Sequence, residues 1–231
     1  MKEEKIPSLT EKIRIFALGG LDEDGKNLFC VEVDQSIYVI EAGIKFPDNK
    51  ESLGIEFIIQ DFTYLVENKD RVAAIFITHG HDDVMGALPY LLKQVPCDVY
   101  TAPLAVKEVQ KMIRQEHISG VRVHSVKRNE KKRIGKRRIV FFPITHAYPG
   151  TFGLAIQTDQ GYIVYSGEFI EDYDDLEDAY RADFTTISEI GNEGVLALLQ
   201  ESKGAERSGH TSPNHRIAPK LLQVLETHEQ K

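Results

Sequence analysis

Apolar residues along this chain fall in short runs, and the spacing within the runs changes several times. "KIRIFALGG" ends an alternating run on a double glycine, which predicts a strand stopped by a turn. "LFCVEVD" and "SIYVIEAG" are two further short runs separated by polar residues, the pattern of a hairpin. "DFTYLVENKDRV" predicts a helix with Asp61 as its cap. "VAAIFITHG" opens on six consecutive apolar residues, the signature of a strand buried on both faces. From Asp83 the period becomes helical, with Val84, Ala87, Leu88, Leu91 and Leu92 on one stripe. "CDVYTA" predicts a strand, and "PLAVKEVQKMIRQ" a helix with Pro103 at its start. The strands "VRVHSV", "RRIVFFPIT", "TFGLAIQT", "YIVYSG" and "GVLALLQ" follow, and "IAPKLLQVLETHEQ" predicts a closing helix. Hairpin runs therefore flank βαβ-like pieces, which implies a mixed sheet in a layered α/β domain.

A length of 231 residues suits one large domain, and 42% hydrophobic residues is enough for a core. No apolar run approaches the roughly 18 residues of a membrane span. The start, "MKEEKIPSLTEK", is charged and lacks the apolar centre of a signal peptide. Both features lead us to expect a cytoplasmic chain with no membrane partner. Cys30 and Cys97 have no C-x-x-C spacing and read as buried free thiols. The net charge of −8 argues against a surface uniformly coated for nucleic acid. Charge is uneven, however: "KRNEKKRIGKRR" (127–138) carries eight bases and one acid, and "EFIEDYDDLED" (168–178) seven acids and no base. The basic tract reads either as a phosphate contact or as a solvated hairpin; it holds no aromatic residue for base stacking. The acidic tract and "DAYRAD" read as a surface loop.

The candidate chemistry begins in "FITHGHDDVMGALPYLL". On extended backbone, side chains two apart share a face, so His79 and His81 can converge on one ion just beyond the buried strand. Asp83 falls near the start of the next helix, where orphan N–H groups favour a carboxylate. Imidazole with carboxylate is a donor set for zinc or manganese. His146 ends another strand in "FFPITHAYPG", Glu168 follows "YIVYSG", and Glu41 follows "YVI". Strand ends of one layered domain can gather in one crevice. Asp82, His117, His124, His210, His215 and His228 lack that context and read as surface residues.

These residues and their order resemble the metallo-β-lactamase superfamily, in particular its RNA-processing branch that includes ribonuclease J. The segments that carry the resemblance are "ALGGLDEDGKN", "EAGIKFPD", "LGIEFIIQDFTYL", "ITHGHDDVMGALPYLL", "FFPITHAYPG", "GYIVYSGEF" and "IGNEGVLALLQESKGAERSGHT". The resemblance implies an α/β fold, the αβ/βα four-layer sandwich with mixed sheets, spanning residues 1–231 as the N-terminal portion of that domain. The final strands would be lacking, and a β-CASP insertion would begin near the end of the chain.

By the same resemblance His79, His81 and His146 match ligands of a first metal and Asp83 a ligand of a second. Glu168 stands where the family has a bridging Asp, and Glu41 where it has an Asp supporting the site. Val84 stands where it has a second-metal imidazole, and valine has no lone pair to offer. Asp83 and Glu168 are the residues expected to take part in catalysis; Ser202, Glu206 and Arg207 are the RNA-binding candidates. The implied activity is metal-dependent RNA cleavage with a degraded two-metal site, weak or absent in this chain alone, as in the weakly active second ribonuclease J paralogue of some bacteria. Zinc is the implied ion, one per site, with manganese or a metal-free site as alternatives. RNA and an active ribonuclease J paralogue, in a homo- or hetero-oligomer, are the implied partners. Two other readings stay open: a non-catalytic RNA-binding subunit, and a lactamase-fold hydrolase of small esters.

Overall fold

The computed structural model describes residues 11–47, 54–170, 177–209 and 217–228. Within them, two sheets stack. The first runs in the order β1 (Ile13–Gly19), β2 (Leu28–Val33), β3 (Ser36–Ile40), β4 (Val72–Ile77), β5 (Val99–Thr101) and β6 (Val123–Ser125). Its opening strands pair antiparallel, and β3 to β6 pair parallel. The second sheet runs β11 (Val195–Leu199), β10 (Gly161–Tyr165), β9 (Phe152–Thr158), β8 (Arg137–Pro143) and β7 (Lys131–Ile134), antiparallel except for the β10–β11 pair.

Three apolar layers hold these sheets. Val31, Tyr38, Ile40 and Phe76 of the first sheet meet Phe141, Leu154, Ile156 and Ile163 of the second in a dry interface. The outer face of the first sheet packs on α1 (Thr63–Glu67), α2 (Asp82–Met85), α3 (Leu88–Gln94) and α4 (Val106–Gln115). The outer face of the second packs on α5 (Phe184–Glu193) through Ile187 and Ile190. The result is the expected α/β/β/α sandwich. The continuous apolar run of β4 reflects this burial on both faces. The last helix, α6 (Ile217–His228), keeps all its residues exposed.

Several local expectations shift. The helix expected from Asp61 is one short turn: the Asp61 carboxylate accepts from the Thr63 N–H at 2.8 Å and the Thr63 hydroxyl at 2.6 Å, and a 3-10 turn over Lys69–Arg71 follows. The helix expected from Asp83 starts at Asp82 and is broken between α2 and α3. Backbone pairing explains the break. The carbonyls of Asp83 and Val84, which would serve the next turn, accept instead from the N–H groups of Asn27 and Ala42 at 3.2 and 2.7 Å, and the Ala87 N–H donates to the Ala42 carbonyl at 2.7 Å. α5 was not anticipated. Asp183 caps it by accepting from the Thr185 and Thr186 N–H groups, and only Phe184, Ile187 and Ile190 carry its apolar stripe.

The basic tract forms the β7–β8 hairpin. Lys131 pairs with Glu189, Lys132 with Glu130, and Arg137 with Glu11 and Asp34. Arg128 donates to the carbonyls of Asp178 and Arg181. These partners fit a charged hairpin tied to its own fold more than an open phosphate track. Cys30 and Cys97 are free thiols, each pushed up to about 12 by burial. Among the described residues no helix is long and apolar enough to cross a membrane.

Gly43 joins the two halves of the first sheet's rim. A Cβ there would lie 1.6 Å from the Asp83 carbonyl oxygen. Gly43→Ala is therefore expected to destabilise the chain by about 2 kcal/mol or more. Urea unfolding measures this, and a change within about 0.5 kcal/mol would contradict the packing described.

Candidate metal centre

Parallel geometry decides where the functional side chains go. β3 and β4 run parallel, so Glu41 and His79, just past their C-terminal ends, share one edge. β8 and β10 each run antiparallel to β9 and hence parallel to each other, which brings His146 and Glu168 to one edge of the second sheet. The two edges face each other. One donor atom from each of His79, His81, His146 and Glu168 lies within 4.8 Å of all the others.

Each ring is oriented from behind. His79 Nδ1 lies 3.0 Å from Thr78 Oγ1, which donates to Glu41 Oε1 at 2.5 Å, and the Thr78 N–H donates to Glu41 Oε2 at 3.2 Å. With its proton on Nδ1, His79 turns the Nε2 lone pair inward, 3.0 Å from His81 Nδ1. His146 Nδ1 lies 3.3 Å from Thr151 Oγ1, whose hydroxyl donates to the Tyr148 carbonyl at 2.6 Å and so can accept the ring proton; with that proton on Nδ1 the Nε2 lone pair faces inward, 3.7 Å from Glu168 Oε2. Three imidazole nitrogens and one carboxylate oxygen aimed at one space suit a four-coordinate divalent ion, and the backing hydrogen bonds are of the kind that fix ligand rings. His79 and His146 are buried and His81 is exposed, so the centre is open on one side.

The electrostatics agree with a site built for a cation. Burial, reinforced by the nearby His146 ring, pushes the His79 imidazole down to about 3, so its Nε2 lone pair stays available. Burial also raises the Glu41 carboxyl well above its ordinary value, beneath His79. Glu41 holds φ +65°, a left-handed conformation unusual for a non-glycine residue. Glu168 is held low, first by the adjoining His146 ring, while Asp83 is raised by burial and by the neighbouring Glu168.

Of the residues expected from the sequence, His79, His81, His146 and Glu168 come together, and Glu41 supports them through Thr78. Asp83 stands beside Glu168 and outside the four gathered donors. Val84 is 1% exposed and packs in the apolar cluster with Ala42, Ile44 and Leu88. Ser202, Glu206 and Arg207 are exposed on the turn after β11 and line a cleft of about 880 Å³ that reaches Glu168. Asp82, His117 and His228 are exposed as expected. His124 is half-buried, its Nε2 3.1 Å from Asp98 and its ring stacked on Tyr100; His210 and His215 lie outside the described residues.

Thr78, Tyr148, Glu201 and Lys203 were not assigned roles from the sequence. One signal was available: "ITH" occurs twice, at 77–79 and 144–146, each time a strand end followed by an inward histidine. Gly80 is needed because Tyr148 covers it, with a Cβ there falling 2.5 Å from the tyrosine oxygen. Gly167, at φ +66°, turns the chain after β10 so that Glu168 reaches the centre.

A layered α/β sandwich with histidines and a carboxylate at facing strand ends is the architecture of one superfamily. The sequence matches the model of the β-lactamase superfamily domain over residues 47–225, and the chain belongs to that superfamily. It is 38% identical to ribonuclease J 2 of Staphylococcus epidermidis over 213 residues, covering 92% of this chain and 38% of the relative. Ribonuclease J 2 of Staphylococcus aureus matches to the same extent. The chain thus spans about 38% of the length of these curated relatives. In fold it is similar to a crystallised protein of unknown function from Enterococcus faecalis V583, with a TM-score of 0.64 and 13% identity over 94% of this chain and 58% of that one.

The raised Glu41 carboxyl has a stability consequence. An acid whose folded pKa exceeds its unfolded value contributes stability below the unfolded pKa, and loses it as pH rises toward the folded one. In metal-stripped protein, stability is therefore expected to fall as pH rises from about 4.5, the ordinary Glu value, and Glu41→Gln is expected to flatten that fall. Thermal melts at stepped pH test this; parallel profiles for the two proteins would contradict a raised Glu41.

Proposed function

We propose that this chain is the lactamase-fold part of a ribonuclease J-like RNA phosphodiesterase whose centre holds a single ion, and that its cleavage activity alone is weak or absent. The observation that carries this reading is the gathering of three imidazoles and Glu168 within 4.8 Å while Val84 lies buried in the apolar core. His79, His81 and His146 would bind one divalent ion, with zinc the first expectation and manganese the second. Such an ion supplies Lewis acidity toward a phosphoryl oxygen and toward water. Glu168 completes the donor set from the second sheet. Asp83, adjoining it, is the group placed to take the proton that an attacking water gives up. Glu41 and Thr78 hold the His79 ring. Ser202, Glu206 and Arg207 lie along the cleft by which an RNA strand would approach, and RNA is the proposed substrate.

A centre with one well-made ion position lacks the second ion that clamps both attacking and leaving oxygens in two-metal hydrolysis. The side chain at position 84 gives this reading its test. The chain is expected to bind one divalent ion tightly and to degrade 5′-monophosphorylated RNA slowly or not at all. Val84→His combined with Glu168→Asp is expected to raise the stoichiometry toward two and to raise the decay rate clearly above that of the unaltered chain. Two tightly held ions and rapid turnover in the unaltered chain would contradict the proposal.

The same buried Val84 favours a second reading, a non-catalytic subunit that works beside an active paralogue. Under that reading the chain co-purifies with the paralogue, and the substituted chain gains no turnover. Salt-dependent RNA binding separates both readings from a hydrolase of small esters.

A further inference from the structure

The cleft that leads to the centre is rich in negative charge. Asp24 and Glu201 line it with Glu168, and Asp83 stands just behind. A bound dication shared by Glu168 and three neutral imidazoles would leave Asp83, Glu201 and Asp24 to repel an incoming phosphodiester. Val84 brings nothing to offset them. Among the described residues two cations line the cleft, Lys203 and Arg207, and of these Lys203 is the one whose charge reaches the groups at the centre.

Lys203 is placed to offset these carboxylates. It sits on the turn after β11, lines the same cleft, and its Nζ lies 3.5 Å from Asp24 Oδ1. Asp24 belongs to the β1–β2 loop, so this ion pair spans the mouth between the two sheets. The Lys203 charge acts on Asp83, Glu168, Glu201 and His81 together. The pair is exposed, with side chains 62% and 82% accessible, so it adds little to stability and leaves the ammonium able to exchange partners.

We propose that Lys203, held across the cleft mouth by Asp24, is the residue that positions the substrate phosphate: its ammonium contacts a non-bridging phosphate oxygen and offsets the carboxylates around the centre. This assignment rests on the metal-dependent phosphodiesterase reading above. A lysine suits the task because it is a compact point charge on a flexible stem with three donors.

The test is calorimetric, on the zinc-loaded chain, with inorganic phosphate and a 5′-phosphorylated RNA oligonucleotide as probes. Lys203→Met is expected to weaken phosphate binding at least tenfold, and to lower the slope of log K against log salt for the oligonucleotide by about one. Zinc stoichiometry is expected to stay as in the unaltered chain. Lys203→Arg is expected to keep phosphate affinity within about threefold, since the charge is retained. Unchanged phosphate affinity in Lys203→Met with zinc bound would overturn the assignment, and so would an equal loss in the Arg variant. Failure of the unaltered chain to take up zinc would overturn the metal-centre reading itself, and is recognised before any phosphate is added.

Discussion

The structure depends on two sheets meeting through one dry apolar interface. Phe76 of the first sheet packs edge-on against Phe141 of the second, their centroids 5.8 Å apart, and Tyr38, Ile40, Leu154 and Ile163 fill the space around them. Four of these residues lie in strands whose C-terminal continuations carry chemistry: Phe76 precedes His79, Ile40 precedes Glu41, Phe141 precedes His146 and Ile163 precedes Glu168. Packing density therefore sets the separation of the donor atoms. A core that relaxed by a fraction of an ångström would move imidazoles on opposite sheets relative to each other, because close-packed interiors transmit strain instead of absorbing it.

The support beneath the donors is mostly backbone. Ala42 and Ile44 hold the α2 turn by its carbonyls, Gly43 lets them approach, and Thr78 links His79 to the buried Glu41. A Glu with φ +65° at full burial is an expensive arrangement that the surrounding hydrogen bonds must maintain. Such cost is common where a ring has to be held in one orientation for a ligand. The open side is different in kind: exposed, charged, and made of the turn after β11 and the loop before β2. Buried, hydrogen-bonded donors thus stand on one side of the centre and exposed charge on the other.

Much of this was legible in the sequence, for physical reasons that can be named. Buried strands leave continuous apolar runs, so β4, β8 and β10 were evident, and inward donors at their ends stood out as polar residues directly after such runs. α5 was not evident because its exposed face of Thr, Ser and Glu dilutes a stripe of three apolar residues, and it follows an acidic tract that masks its Asp183 cap. The interruption after Met85 was hidden for another reason: the groups that claim the next carbonyls, the Asn27 and Ala42 N–H groups, come from distant segments of the chain. Thr78 and Lys203 are ordinary residues locally, and acquire meaning only from Glu41 and Asp24, each supplied by a distant segment. The donors gathered at the centre were readable from spacing, whereas the residues behind and around them needed the fold.

The central claim is that one ion, and not two, is held where the sheets' edges face each other. X-ray absorption at the zinc edge of the loaded chain tests it most directly. The account expects a first shell of nitrogen and oxygen at about 2.0 Å with the outer-shell pattern of several imidazoles, and no metal–metal scattering. A metal–metal vector of about 3.5–4 Å at two ions per chain would contradict it.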